Sequence, residues 1–337
     1  MTKQRRKKKD TGSSKSANEK ATVAEEFDLA RKYRPQSIDE IKGNAVLKKQ
    51  LRSIISKKQI PNCILLEGSY GCGKTTIARI LAQELNCSTL DLKEIDVAHF
   101  SGIDTARQIR QSMKTKPMKG DVKVWILDEV ALLGRGGASE KNEAASALLK
   151  ALEEPPKHCY FFLCTTDPQN ILKTIKSRCI RYEVQVLNPK QIIELLNEIA
   201  DKEEVELPVQ VANQIARDSL GHARDALKIF QRVMHMNEED MLKAAKQEAE
   251  KQQEAIRIIR ALGQKTSWKK MCEILKGITD KPETLRRGIR TYYKTVLLNN
   301  NEWAFVILDV FKDPYYNTDA ENEFIRCVYE CWKELQE

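Results

Sequence analysis

Residues 68–75 read Gly68-Ser69-Tyr70-Gly71-Cys72-Gly73-Lys74-Thr75, a complete Gly-x-x-x-x-Gly-Lys-Thr string. The chemistry it serves is the binding of a nucleoside triphosphate. Glycines let the backbone curl so that successive N–H groups face phosphate oxygens. A helix starting at the end of the loop adds the positive end of its dipole. Lys74 can reach the β- and γ-phosphates, and the Thr75 hydroxyl can ligate Mg²⁺. The predicted phosphate contacts are therefore Gly68, Gly71, Cys72, Gly73, Lys74, Thr75 and Thr76.

Phosphoryl transfer to water also needs a metal-associated carboxylate and a group that orients the water. The apolar run Val124-Trp125-Ile126-Leu127 ends in Asp128-Glu129. Open α/β sheets bind ligands at the carboxyl ends of their strands. Asp128 is expected beside Mg²⁺, and Glu129 where it can polarise the attacking water. A second apolar run, Tyr160 to Thr165, closes in Thr165-Thr166-Asp167. A hydroxyl there can bond the γ-phosphate or the water, although spacing alone equally allows a plain turn before Pro168.

The elements that must position these groups follow from periodicity. Residues 63–67, 92–97, 122–127, 160–165 and 180–186 read as strands. Helices are expected after Asn44 as a cap, after Lys74, over 103–113, and from Asn142 to the Pro155-Pro156 stop. Strands alternating with helices predict a doubly wound parallel sheet. From Asn188-Pro189 onward the pattern is helical, with helices over 190–202, 208–219 and 222–237 and later breaks near Gly277 to Pro282 and at Asp313-Pro314. The expected organisation is a disordered basic tail (1–25), an α/β nucleotide-binding core (26–187), a small helical lid (188–240) and an all-helical association region (241–337).

The net charge of +9 on 337 residues is concentrated at the start. Residues 1–20 hold eight Lys and Arg against Asp10 and Glu19 and have almost no apolar side chain. Such a tail cannot bury enough surface to order itself. It reads either as a solvated leader or as a weak, salt-sensitive contact with nucleic acid. No long apolar run predicts a membrane span, and the basic N-terminus lacks the apolar stretch of a secretory signal. Nine cysteines without paired spacing predict reduced thiols, with Cys327 and Cys331 as packing residues on one helix.

Further strings occur in order: Glu153-Glu154-Pro155-Pro156, Thr165-Thr166-Asp167-Pro168 and Ser177-Arg178-Cys179. With Asp128-Glu129-Val130, Ala30-Arg31-Lys32-Tyr33-Arg34-Pro35 and Gly221-His222-Ala223-Arg224-Asp225-Ala226-Leu227, they resemble the AAA+ ATPase subunits of DNA polymerase clamp loaders. The resemblance is to bacterial polymerase III gamma/tau subunits, over about residues 28–235, and to phage and archaeal small clamp-loader subunits. The C-terminal helices resemble that family's collar only in length, placement and helicity.

The resemblance implies an AAA+ core with lid and collar, binding ATP with Mg²⁺. It places Tyr33, Arg34 and Pro35 beside the adenine and makes Asp128 and Glu129 the metal-associated and water-activating carboxylates. Thr165 or Thr166 becomes the sensor-1 residue, with Thr165 favoured. Arg224 becomes the sensor-2 arginine on the γ-phosphate of its own chain. Arg178 becomes an arginine finger acting on a neighbouring subunit. The implied partners are other clamp-loader subunits in a pentamer, a sliding clamp and primer-template DNA, in the cytoplasm and with no membrane. Arg107 and Arg110, three apart on one helix, are expected to face DNA phosphates. Met113, Lys114, Lys116, Pro117 and Met118 are expected on the clamp side. The bacterial family's four-cysteine zinc module is missing, because Cys87 leads straight into the next strand, so no zinc is expected. A branch-migration motor or helicase loader would share the phosphate loop and Asp-Glu pair. A subunit that binds ATP without hydrolysing it is a further alternative, opposed by the joint presence of Lys74, Thr75, Asp128, Glu129 and Arg178.

Overall fold

A computed structural model describes residues 28–97, 102–134, 148–298, 300–315 and 319–336. The basic tail, most of the loop after Gly134 and the Asn142 helix start lie outside these residues.

Five strands form one parallel sheet: β1 (Cys63–Glu67), β2 (Leu92–Asp96), β3 (Lys123–Asp128), β4 (Cys159–Thr165) and β5 (Ile180–Glu183), in the order β2-β3-β4-β1-β5. β1 is buried along its whole length, and β3 and β4 nearly so. Strands covered on both faces carry continuous apolar runs rather than alternation, which is why these three are evident from composition alone. One face packs Ile64, Leu66, Val124, Ile126 and Phe162 under α3 (Lys74–Glu84) and α2 (Ala45–Ser56). The other packs Leu65, Trp125, Leu127, Phe161 and Leu163 against α4 (Gly102–Met113) and the helical turns 148–153. Trp125 and Phe161 stack there at 5.1 Å. A short helix α1 (Leu29–Lys32) precedes the core, and α5 (Lys173–Lys176) precedes β5.

Three local expectations change. Asn44 stands at the N-cap of α2 as expected but makes no side-chain capping bond: it adopts φ 50° and pairs its side-chain amide with the backbone of Gln185, at 3.0 and 2.8 Å. The last strand is shorter than 180–186, ending at Glu183, although Val184 N–H still bonds the Glu67 carbonyl at 2.7 Å. Met113, the last residue of α4, is buried, so it belongs to the core and not to an exposed clamp-side face.

The rest is helical: α6 (Pro189–Lys202), α7 (Val209–Asp218), α8 (Ala223–Val233), α9 (Glu238–Gln252), α10 (Glu254–Gly263), α11 (Trp268–Lys276), α12 (Pro282–Leu298), α13 (Ala304–Val310) and α14 (Ala320–Gln336). Asn188 makes a full capping box with Gln191 at the start of α6, satisfying otherwise orphaned N–H groups. The expected boundary at 240 falls inside α9, whose buried Met241, Ala245 and Ala249 pack with α7 and α8. One hydrophobic cluster runs without interruption from Ile192 of α6 to Cys331 of α14. Cys327 and Cys331 are buried in it.

Candidate nucleotide site

The phosphate loop leaves the C-terminal end of β1, and β3 and β4 end beside it. Gly68 N–H bonds the Thr165 carbonyl at 3.2 Å. Glycine is required at 68, where a Cβ would sit 2.3 Å from the Val184 carbonyl oxygen. It is also required at 73, which holds φ 103° at the start of α3. Lys74 is buried, and its ammonium donates to the carbonyls of Gly68 and Ser69 at 3.0 and 2.8 Å. The lysine thus rests on the loop's own carbonyls.

The Thr75 hydroxyl donates to Asp128 Oδ2 at 3.0 Å. A hydroxyl and a carboxylate side by side, at the mouth of a phosphate loop, are the oxygen donors that Mg²⁺ takes from protein when phosphates and water fill its remaining positions. Among the described residues no group of three or more His, Cys, Asp or Glu side chains is placed to hold a metal by itself.

Glu129 has φ 53°, a left-handed backbone that is uncommon for a non-glycine residue and clusters at functional positions. Its carboxylate accepts from the Thr166 hydroxyl at 2.8 Å. The favoured residue, Thr165, is not the one that meets Glu129. Thr165 lies wholly buried at the end of β4, and its oxygen accepts from Asp167 N–H at 3.0 Å. Strand alternation turns the next residue, Thr166, toward Glu129.

On one side of the loop lies a cavity of about 320 Å³ whose lining includes Tyr33, Arg34, Pro35, Cys72, Thr76 and Arg224. Beside it α1 docks on the helix Ala223–Val233, with Leu29 N–H donating to Gln231 Oε1 at 3.2 Å. Lys32 and Lys202 both lie over the Tyr33 ring, at 5.2 and 5.6 Å. Burial lowers the Arg34 pKa, and the like charges of Arg79 and Arg224 lower it further. Arg34 and Arg224 both line the cavity, and two like charges at one mouth favour an anion. Arg224 donates to the Tyr70 hydroxyl at 3.1 Å and sits 5.3 Å from its ring. No motif assigns a role to Tyr70 or Arg79, because their roles depend on residues far away in sequence.

On the other side is a larger cleft of about 800 Å³ that contains Ser69, Tyr70, Glu129 and Thr166 in its walls. The loop therefore separates a base-sized cavity from a cleft holding the acidic and hydroxyl groups.

Arg178 is not brought to this site. It precedes β5 by two residues, at the amino end of the sheet, opposite the phosphate loop. There it pairs with Glu153 at 2.6 Å and donates to the Thr174 carbonyl at 2.6 Å. Beneath it the thiols of Cys63 and Cys179 approach to 2.7 Å.

Arg110 is exposed on α4, while the Arg107 side chain lies outside the described residues. Buried Lys123 holds the end of α4, donating to the Ser112 carbonyl at 2.8 Å and to the Thr115 hydroxyl at 2.5 Å. Asp91 gathers the turn after α4, accepting from Ser88 Oγ and from the N–H groups of Met118, Lys119 and Gly120. Met118 itself is 75% exposed. No helix among the described residues is long and apolar enough to cross a membrane.

A family model described as DNA polymerase III, delta subunit, matches residues 91–188. The DNA polymerase III gamma subunit of Buchnera aphidicola subsp. Schizaphis graminum is 34% identical over 234 residues, covering 63% of this chain and 62% of that protein. The tau subunit of Escherichia coli K12 is 35% identical over 222 residues, covering 60% of this chain and 33% of that one. This chain thus spans less than two thirds of the length of either relative. Among solved structures, the Thermotoga maritima RuvB Holliday junction branch migration motor superposes with a TM-score of 0.54 at 21% identity, covering 75% of this chain and 84% of that one.

Proposed function

We propose that this DNA polymerase III gamma/tau-like AAA+ protein is an ATPase subunit of a sliding-clamp loader. The likeness extends over about 60% of the chain in sequence, and the α/β core with its helical C-terminal region has the AAA+ fold of its structural neighbours. The observation that carries the proposal is a complete phosphate site joined to an arginine that lies at the opposite end of the sheet.

In this reading the adenine lies beside Tyr33, Arg34 and Pro35, and the phosphates lie over the loop. Lys74 exchanges the carbonyls of Gly68 and Ser69 for phosphate oxygens. Thr75 and Asp128 hold Mg²⁺, which when bound offsets phosphate charge. Thr166 holds the Glu129 carboxylate in position, and Glu129 orients the attacking water. Arg224 meets the γ-phosphate from the lid of its own chain, and Arg178 meets it from a neighbour. Hydrolysis then waits for assembly. ATP binding supports clamp opening and the grip on primer-template DNA, with Arg107 and Arg110 toward the phosphates. Hydrolysis releases the closed clamp. The assembly would be pentameric, built of like or unlike subunits, in the cytoplasm.

The test is phosphate release by the full chain with and without primed DNA and the replicative clamp of the same source. Strong stimulation by the two together is expected. Stimulation by four-way junctions alone would replace the clamp-loader reading with the branch-migration one.

A further inference from the structure

The larger cleft has a third wall that no motif announces. Lining it together with Glu129 and Thr166 is Lys281, the residue immediately before α12 in the C-terminal helical region. Lys281 also lines the adjoining cavity that contains Thr166 and Asp167.

Its position is built. Glu254, at the start of α10, accepts from Thr279 N–H at 3.0 and 2.9 Å on its two oxygens. It also accepts from Thr279 Oγ1 and Asp280 N–H, each at 2.9 Å. A carboxylate taking three donors from two adjacent residues pins that short loop to α10. Burial pushes the Glu254 carboxyl up, yet these bonds hold it below its ordinary value, so the clasp is anionic at neutral pH. The loop delivers Lys281 to the cleft and leaves its ammonium with no hydrogen-bond or ion-pair partner among the described residues. The other cation that α12 sends to this cleft, Arg287, is committed to Glu283 at 2.9 Å.

We propose that Lys281 contacts the terminal phosphate of the bound nucleoside triphosphate, so that the C-terminal helical region distinguishes a triphosphate from a diphosphate. The proposal rests on the reading of residues 68–75 as an ATP site. An ammonium is a compact point charge suited to a phosphate oxygen. Glu129 brings negative charge to this wall, and a γ-phosphate adds more. A diphosphate offers Lys281 nothing, whereas Lys74 and Arg224 approach from the loop side.

The experiment is a pair of titrations of the full chain, with a non-hydrolysable ATP analogue and with ADP, on the wild type and on Lys281→Ala, Lys281→Arg and Lys228→Ala. Lys281→Ala should weaken the triphosphate about tenfold, or about 1.4 kcal/mol, and leave ADP affinity and Tm unchanged. Lys281→Arg should restore most of the preference. Lys228→Ala, a lysine of the same cleft on α8, should leave the ratio as in the wild type. Two outcomes overturn the proposal while leaving the ATP site standing. One is an unchanged triphosphate-to-diphosphate ratio in Lys281→Ala. The other is an equal loss of both nucleotides with a lowered Tm. A wild type that binds neither nucleotide overturns the ATP reading and the proposal with it.

Discussion

The separation of Arg178 from its own phosphate loop predicts a specific complementation. Ile180 pairs with Ile64 and Glu183 with Glu67, so Arg178 lies level with Asn62. Asn62 precedes Gly68 by six residues, or about 20 Å along a strand at about 3.3 Å per residue. An arginine side chain does not span that distance. Arg178→Ala should therefore spare nucleotide binding and reduce turnover by about 10³- to 10⁵-fold, equivalent to about 4–7 kcal/mol in the barrier. Lys74→Ala should abolish turnover by a different route, at the phosphates. When the two inactive variants are mixed at equal concentration and assemble head to tail at random, about one interface in four has both an intact loop and an intact arginine. Steady-state phosphate release from the mixture should then recover to about a quarter of the wild-type rate under the same DNA and clamp conditions. A mixture no more active than either variant alone would refute the argument, because it would mean that both residues serve one chain's site. The exposed Arg178–Glu153 pair contributes no more than about 1 kcal/mol to stability, so Arg178→Ala should melt within a few degrees of wild type.

The site and its surroundings yield three more expected outcomes. Thr166→Val removes the hydroxyl on Glu129 and should lower kcat by about 10²-fold at unchanged ATP affinity, whereas Thr165→Val strands the Asp167 N–H and should cost about 1–3 kcal/mol of stability, read as a lower Tm. Burial opposes ionisation of Asp91, but its four hydrogen bonds hold the carboxyl well below the usual carboxylate range. Its contribution is therefore fully present above about pH 4 and is lost as the pH falls further, so the Tm gap between wild type and Asp91→Asn should close on acidification; a gap independent of pH would contradict this. The Cys179 thiol and burial push the Cys63 thiol far up, and since alkylation needs the thiolate, mass spectrometry should find Cys63 unmodified by iodoacetamide in the native chain at pH 8 and modified after denaturation.

The features legible in the sequence are local ones. The loop at 68–75 is one contiguous string, and β1, β3 and β4 carry unbroken apolar runs because both faces are covered. Asn44 resembles a helix cap because a cap is recognised by the helical residues immediately after it. Its actual partner, Gln185, is 141 positions away. Thr165 and Thr166 are the same residue type, and only the sheet's alternation decides which hydroxyl meets Glu129. Met113 carries no sign of burial beyond its spacing from Ile109, four residues earlier on α4. A boundary at 240 follows the end of the helix expected over 222–237, but the buried Met241, Ala245 and Ala249 of α9 pack on past it with α7 and α8. Lys281 is invisible in the sequence for the most general reason. Its position depends on Glu254, on another helix, and no motif records a carboxylate clasping a loop 25 residues further on.

The unbroken cluster from Ile192 to Cys331 has a mechanical meaning. Two bodies that share one close-packed interior cannot swivel against each other without opening voids, and the buried Asp218–Arg260 pair, at 2.5 Å, adds a second fastening between α7 and α10. Helices α6 to α8 and those after them would therefore turn as a single lever. Its short arm carries Arg224 over the phosphate loop, and its long arm extends through α14. A shift too small to notice at the nucleotide becomes, at the far end, a displacement scaled by the length of the arm.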